Sequence, residues 1–155
     1  MQEHLCDILE KIADGLPQDT DPGLCRQAVQ ALRHDIPLHH RDEEAGLFPL
    51  LNKYAAKIPV LTEAIQRLEH EHDSDEALAS EIIEQLEILA QGRHHGNADM
   101  LGYMLRAFFE GYRRHIHWED AVIMPLARAH LSAADLKQLD QEMARNRAQV
   151  VGYHD

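Results

Sequence analysis

One pattern of residue types occurs twice in the chain, at residues 39–51 and 115–127. Each copy begins with a His, carries a Glu four positions later and an acidic residue directly after that Glu, and continues with Ala, Pro and Leu. The His and the Glu of the two copies are His39, Glu43, His115 and Glu119, all with metal-binding side chains. A His and a Glu four residues apart share one face of an α-helix, about 6 Å apart along its axis. Two such helices facing each other would bring both pairs into one space, so the repeat predicts a metal site.

A shorter repeat precedes each copy, because the chain has the pair Glu3-His4 and again the pair Glu71-His72. If each half contributes one helix with a single His and one with His-x-x-x-Glu, the set is four imidazoles and two carboxylates. A carboxylate can bridge two ions, and paired metals lie about 3.5–4 Å apart, so this set suits two metals. Nitrogen and oxygen donors without cysteine favour iron over a structural zinc site, while zinc and manganese stay open.

Apolar residues at helical spacing predict the elements that must position these side chains, and no segment has the pattern of a strand. We therefore predict an all-α protein, an up-down-up-down four-helix bundle with a short extra C-terminal helix. The predicted helices are residues 1–16, 22–55, 60–91, 98–129 and 132–148. Three prolines fall inside two of them: Pro37 and Pro49 are expected to kink or end the second helix, and Pro125 lies near the end of the fourth. His4 is expected on the core-facing side of the first helix.

The bundle and its ligands are assigned to residues 1–130, and residues 131–155 to a C-terminal helix and tail packed on it. Ser132 and Asp135 have the spacing of a capping box, which predicts where that helix begins. Three apolar residues are expected to dock it on the bundle: Leu136, Leu139 and Met143.

Composition excludes several classes of protein. The formal net charge of -12 argues against a nucleic-acid partner, which would need a basic face. The sequence has no run of 18 apolar residues, so no membrane span is predicted. Its first residues lack the pattern of a secretory signal. The two cysteines, Cys6 and Cys25, form no C-x-x-C motif and are expected to be reduced. These features are typical of a cytoplasmic protein.

The ordered set of motifs resembles the hemerythrin family, specifically its HHE cation-binding domain, over about residues 1–130. The segments that carry the resemblance are Glu3-His4, residues 39–44 with Leu47-Phe48-Pro49, Glu71-His72, and His115 with Glu119-Asp120 and Met124-Pro125. The resemblance implies two iron ions in an Fe-O-Fe or Fe-OH-Fe centre that binds O2, NO or a similar diatomic. It also implies terminal ligands at His4, His39, His72 and His115, and bridging carboxylates at Glu43 and Glu119.

Two positions depart from the oxygen-carrying members of the family. Those members have a second His one turn after the third-helix His, where this chain has Glu76. They also place the last carboxylate five residues after the fourth-helix His, where this chain has Asp120 beside Glu119. Glu76 and Asp120 are therefore additional ligand candidates, and Glu76 argues against simple oxygen carriage. His70 is a further candidate, although it cannot share a helix face with His72.

Several residues near the motifs have more than one interpretation. His40 and His117 are expected beside the site or on the surface. Glu44 either holds an imidazole by its free N–H or is solvated.

Two classes of function fit this set of residues. The first, which we favour, is a di-iron binding protein for sensing, scavenging, or iron and redox handling, with a homodimer or another protein as a further possible partner. The second is a di-metal enzyme that uses O2 or peroxide, or a metal-assisted hydrolase. A substrate-sized apolar pocket beside the metals would favour the enzyme. A His-rich bundle without metal is the third alternative.

Overall fold

A computed structural model describes residues 2–151, with side chains to residue 149, and this part of the chain contains helices and no strand. The predicted all-α class is therefore confirmed. The helices are α1 Gln2–Gly15, α2 Pro22–Gln30, α3 Ile36–Arg41, α4 Phe48–Asn52, α5 Pro59–Ala90, α6 Ala98–Trp118, α7 Met124–His130 and α8 Ala133–Val151. A single 3-10 turn lies at Ala55–Lys57. The last residues of the predicted tail, with His154, lie outside the described residues.

Three π-helical segments join the shorter α-helices into longer ones: π1 Ala31–Asp35, π2 Asp42–Leu47 and π3 Glu119–Ile123. The helical stretches are then five within the described residues, namely 2–15, 22–52, 59–90, 98–130 and 133–151. These agree with the predicted helices to within a few residues. A four-helix bundle with one extra helix is compatible with them, and the up-down-up-down arrangement stays a prediction.

Pro37 and Pro49 do not end their helix, which corrects one of the two expected outcomes, and the fourth helix also continues past Pro125. Pro37, Pro49 and Pro125 each lie two residues after the last residue of a π segment. A proline ring clashes with the carbonyl four residues earlier and offers no N–H to it. In each case that carbonyl belongs to the π segment, where the wider turn relieves the clash. The extra residue of each π segment thus lets the helix continue through proline.

The described chain forms two compact units. The first consists of residues 2–36 and 73–117, and its core is built from α1, α2, the second half of α5 and α6. Ion pairs give the direction of α1 against α6: Arg113 contacts Asp7 and Glu10, while Arg106 contacts Asp14. Residues late in one helix contact residues early in the other, so these two helices are antiparallel.

The second unit consists of residues 37–72 and 118–151, with its own apolar core around Phe48, Leu51 and Leu68. The helix α8 lies against the segment 42–54 of this unit. Its start is fixed as predicted, because Ser132 and Asp135 form the capping box through hydrogen bonds of 3.0 and 3.2 Å. The Asp135 carboxylate also accepts hydrogen bonds from Lys53 and Tyr54, and with Ser132 these hold its pKa well below its usual range.

The apolar docking predicted for α8 is only partly right. Leu139 packs against the core of the second unit and Met143 is half-buried, but Leu136 is 50 % exposed. The buried residues of α8, among those whose side chains are described, are the polar Asp135 and Asn146. This helix is held largely by polar contacts.

Cys6 and Cys25 are reduced, as predicted, and both are buried in the core of the first unit. Burial raises the pKa of each thiol to about 11, so both are poor nucleophiles at neutral pH. None of the described helices combines the length and the apolar character that crossing a membrane requires.

Candidate metal centre

Each motif carboxylate stands at the start of a π segment. Glu43 is the second residue of π2, and Glu119 is the first residue of π3. In both copies the carbonyl of the motif Glu accepts a hydrogen bond from the N–H five residues later, at Phe48 in the first copy and Met124 in the second. The sequence repeat is thus also a repeat of backbone geometry. A π turn widens the helix and changes the direction of its side chains, and such turns are frequent at functional sites.

Three predicted ligands meet in the second unit. One carboxylate or imidazole atom from each of Glu43, His72 and Glu119 lies within 4.8 Å of the other two. The closest pair is Glu43 Oε2 and His72 Nε2, at 3.1 Å. All three side chains are buried. These three side chains come from π2, α5 and π3.

His39 joins the same cluster from α3. Its Nε2 lies 3.4 Å from Glu43 Oε2 and 3.7 Å from Glu119 Oε2, so it faces both carboxylates. The side chain is 25 % exposed, which makes His39 the most accessible of the four. Both carboxylates therefore share an imidazole neighbour, as expected of groups that bind ions lying between them.

Glu44 orients His72, which selects one of the two interpretations of this residue. The Nδ1 of His72 lies 2.7 Å from Glu44 Oε1, and Nδ1–H donates to this carboxylate. The other ring nitrogen, Nε2, then faces Glu43. A metal-binding His commonly donates its second N–H to a carboxylate, which fixes the tautomer and the ring orientation.

Two aromatic contacts further restrict the His72 ring. His40 stacks on it with 3.9 Å between centroids and 9° between planes, and Phe48 lies 5.9 Å away at 13°. His40 is only 1 % exposed, so of its two expected positions, beside the site or on the surface, the structure shows the first. His117, by contrast, is exposed.

His115 belongs to the first unit, in the last turn of α6 and one turn before Glu119 along the chain. It is buried, and its Nδ1 lies 3.5 Å from Asp75 Oδ2. The ring also stacks on Tyr112, with 5.4 Å between centroids. Asp75 is therefore an α5 carboxylate beside this predicted ligand, one position before the sequence candidate Glu76. The signal in the sequence that could have indicated Asp75 is its position three residues after the predicted ligand His72.

The other predicted candidates have exposed side chains: His4, His70, Glu76 and Asp120. The expectation that His4 faces the core is wrong. It precedes the first buried residue of α1 and lies in the first helical turn, where the apolar stripe has not yet begun. Of the two adjacent acids on the second motif, Glu119 is buried and Asp120 is not.

The chemistry of this cluster fits a bound cation. With Nδ1–H donated to Glu44, His72 presents the Nε2 lone pair to Glu43 Oε2 at 3.1 Å. Two lone pairs this close repel each other unless a proton or a metal ion lies between them. Glu43 Oε2 is buried and meets no donor in good hydrogen-bond geometry within the part of the chain that has described side chains. Buried carboxylates require such compensation.

The pKa values of His39 and His72 lie above their usual value of about 6.5. Burial lowers the pKa of His39, but its contact with Glu119 and the charges of Glu43 and Glu119 outweigh this effect. Burial also lowers the pKa of His72, and the contacts with Glu43 and Glu44 outweigh it in the same way. Without a metal, both imidazoles thus keep a proton to higher pH than an ordinary His does.

This arrangement predicts opposite pH dependences for the metal-free and metal-loaded chain. A raised folded-state pKa contributes stability that is complete below the unfolded value and is lost as pH rises through the folded value. The metal-free protein should therefore lose stability as pH rises from about 6 through these folded-state pKa values. Metal loading should instead strengthen over that interval, because the ion competes with fewer protons. Urea unfolding of both forms across this range measures the effect, and equal slopes for the two forms would contradict it.

Removal of the orienting carboxylate gives a second prediction. Glu44→Ala should lower metal affinity about 10- to 100-fold, because the His72 ring loses the acceptor that fixes its tautomer. Glu71→Ala is the matched control, since Glu71 lies beside His72 and pairs with Arg67. Competition with a chelator measures both variants. Equal affinities for the two would show that Glu44 does not orient the ring.

The HHE cation-binding domain of the hemerythrin family matches residues 1–127, which includes every residue of the cluster. The chain belongs to the hemerythrin HHE cation-binding family. An uncharacterized protein of Haemophilus influenzae is 32 % identical to this hemerythrin-family chain over 121 residues. That similarity covers 78 % of the chain and 66 % of the relative, so it spans slightly less than two thirds of that protein. No solved structure shows significant similarity to the chain. The helix α8 lies beyond the segment that the family matches.

Proposed function

We propose that this hemerythrin-family chain binds two iron ions at the cluster and, once loaded, binds O2 or a related diatomic. The proposed roles are sensing, scavenging, or iron and redox handling. The observation that carries the proposal is the convergence of Glu43, His72 and Glu119 in buried positions of a chain from a cation-binding family. An iron pair supplies redox change and a coordination position for a diatomic, and the protein supplies ligands and shielding from water.

The proposed ligand set follows the repeat. Glu43 and Glu119 are the bridging carboxylates, and this assignment is supported by their burial and by the position of His39 close to both. The proposed terminal imidazoles are His4, His39, His72 and His115. The role of His72 is supported by its hydrogen bond with Glu44, and that of His115 by its contact with Asp75. The role of His4 rests on the family resemblance alone.

The chain offers a reason to prefer sensing or redox handling over reversible carriage. Carrier proteins of the family have a further His where this chain has Glu76, one turn after His72. The nearby carboxylates of α5 and π2 increase the negative charge around the site, and negative charge stabilises ferric over ferrous iron. A loaded site of this composition should therefore oxidise more readily than that of a carrier.

The test is iron analysis with an optical spectrum, on protein purified in air and again after anaerobic reduction and exposure to O2. Ligand-to-iron charge-transfer bands that bleach on reduction and return with O2 would support the proposal. His39→Ala should lose most of the iron. His117→Ala is the control and should keep it, because His117 also lies within a copy of the motif but its side chain is exposed. Equal loading of the two variants would mean that the proposed ligands are misassigned. One zinc per chain would replace the proposal by a different metal function.

A further inference from the structure

The C-terminal helix α8 contacts the segment that presents Glu43. Asn146 Nδ2 donates to Asp42 Oδ1 at 2.9 Å, and Arg147 Nη2 lies 3.0 Å from Asp42 Oδ2. Both carboxylate oxygens of Asp42 are therefore held by α8. Asp42 and Glu43 are consecutive residues at the start of π2.

The contact between Asp42 and Asn146 is buried, unlike most polar pairs on a protein surface. Asp42 and Asn146 are 7 % and 3 % exposed, and Asn146 is one of the few buried polar residues outside the metal cluster. A buried polar pair contributes little to stability compared with apolar packing of similar size, and its better-attested effect is to fix one geometry. Each partner would be costly to leave unpaired.

The approach of α8 to π2 is also close. A Cβ at Gly46, within π2, would lie 2.8 Å from Leu139 Cδ1, so glycine permits the contact. At the other end, Asp135 is bound by Lys53 and Tyr54 just after α4. The helix α8 thus contacts π2 itself, at Asp42 and Gly46, and also the residues that follow α4.

The two copies of the repeat differ where α8 makes contact. The copies share the columns of His39, Glu43 and Pro49, but the columns of Asp42 and Gly46 contain Trp118 and Val122 in the second copy. Trp118 lies under the guanidinium of Arg67 rather than in a carboxylate contact. The residues that face α8 are therefore particular to the first copy, whereas the proposed ligands are common to both.

We propose that Asn146, assisted by Arg147, is a positioning residue for the metal centre: it holds Asp42 and thereby fixes the π2 turn that presents Glu43. The inference rests on the proposed metal function. Metal–ligand distances tolerate only about 0.2 Å, so a small rotation of π2 would weaken the Glu43 contact. The α8 helix, which lies beyond the family-matched residues, would then set how tightly this chain holds its metal.

The experiment compares Asn146→Ala with Arg145→Ala, since Arg145 is exposed on the same helix and pairs with Glu142 of that helix. Both variants and the parent are loaded with iron, and its release to a chelator is timed. Asn146→Ala should release iron about 10-fold faster than the parent, with unchanged iron content at saturation. Arg145→Ala should match the parent. In an Asp42→Ala background, Asn146→Ala should cause no further change, because it acts through Asp42.

Tyr54→Phe separates positioning from a general loosening of α8. It removes a hydrogen bond at the opposite end of the helix. If it lowers the stability of the metal-free protein as much as Asn146→Ala and speeds iron release equally, the positioning role is overturned. A full additional effect of Asn146→Ala in the Asp42→Ala background overturns it as well.

If Asn146→Ala does not fold, Arg147→Gln takes its place and should speed release in the same direction but less, because Arg147 is half exposed. Unchanged release in that variant would overturn the inference. A parent chain that binds no metal overturns the proposed function and this inference together, whereas a loaded parent with an indistinguishable Asn146→Ala overturns the inference alone.

Discussion

Glu119→Ala should bind iron at least about 10-fold more weakly than the parent chain, while Asp120→Ala should bind it normally. The two acids are adjacent, so the sequence alone does not choose between them as the bridging carboxylate. The structure distinguishes their surroundings: Glu119 is buried and lies 3.7 Å from His39 Nε2, whereas Asp120 is exposed. Only Glu119 can act on an ion held between the motifs without moving π3.

Both variants should be loaded anaerobically with ferrous iron, and their affinity measured by competition with a chelator. The melting temperature of each metal-free variant serves as the control for folding. Metal loss in Asp120→Ala with retention in Glu119→Ala would contradict the assignment. Loss in both, with folded metal-free proteins, would mean that the two acids share the site.

Phe48→Ala should destabilise the metal-free protein by about 3–5 kcal/mol. Phe48 is 1 % exposed in the core of the second unit, and its ring lies 5.9 Å from that of His72. Met124 occupies the same column of the repeat and is only half-buried. Met124→Ala should therefore cost about 1–2 kcal/mol, because less apolar surface is removed from a packed position.

Urea unfolding of the two variants measures the difference. The comparison is matched, because each residue follows a π segment and precedes a proline. Phe48→Ala should also weaken metal binding, since the His72 ring loses one of its aromatic neighbours. Similar destabilisation by both substitutions would show that the two halves of the repeat contribute alike to the core, contrary to their burial.

The chemistry of the site was more predictable than its shape. The His-x-x-x-Glu repeat was sufficient to select Glu43 and Glu119, because spacing on a helix fixes which side chains share a face. The π segments were not predictable from that spacing, although a proline two residues after each is a consistent mark. A proline disrupts the regular α-helical turn before it. Tertiary packing then determines whether the helix ends there or continues through a wider π turn.

Residues beside the ligands were the hardest to assign. His40 was expected either beside the site or on the surface, and its spacing did not choose between the two; it stacks on His72 in the interior. Asp75 lies near His115 although Glu76 occupies the position of a family ligand. The sequence also predicted that Leu136 docks α8, where polar residues are buried instead. Each miss concerns contacts between segments distant in sequence, which helical periodicity does not encode.

The central claim, that this chain holds two iron ions in one cluster, is tested most directly by anaerobic titration of the metal-free chain with ferrous iron. Binding is followed by metal analysis after desalting. We predict saturation at about two irons per chain, the number that two carboxylates and four imidazoles can hold as a bridged pair. His72→Ala should fall well short of that value, with His70→Ala as the control two residues away on the same helix. Saturation at one ion, or a full pair in His72→Ala, would contradict the account.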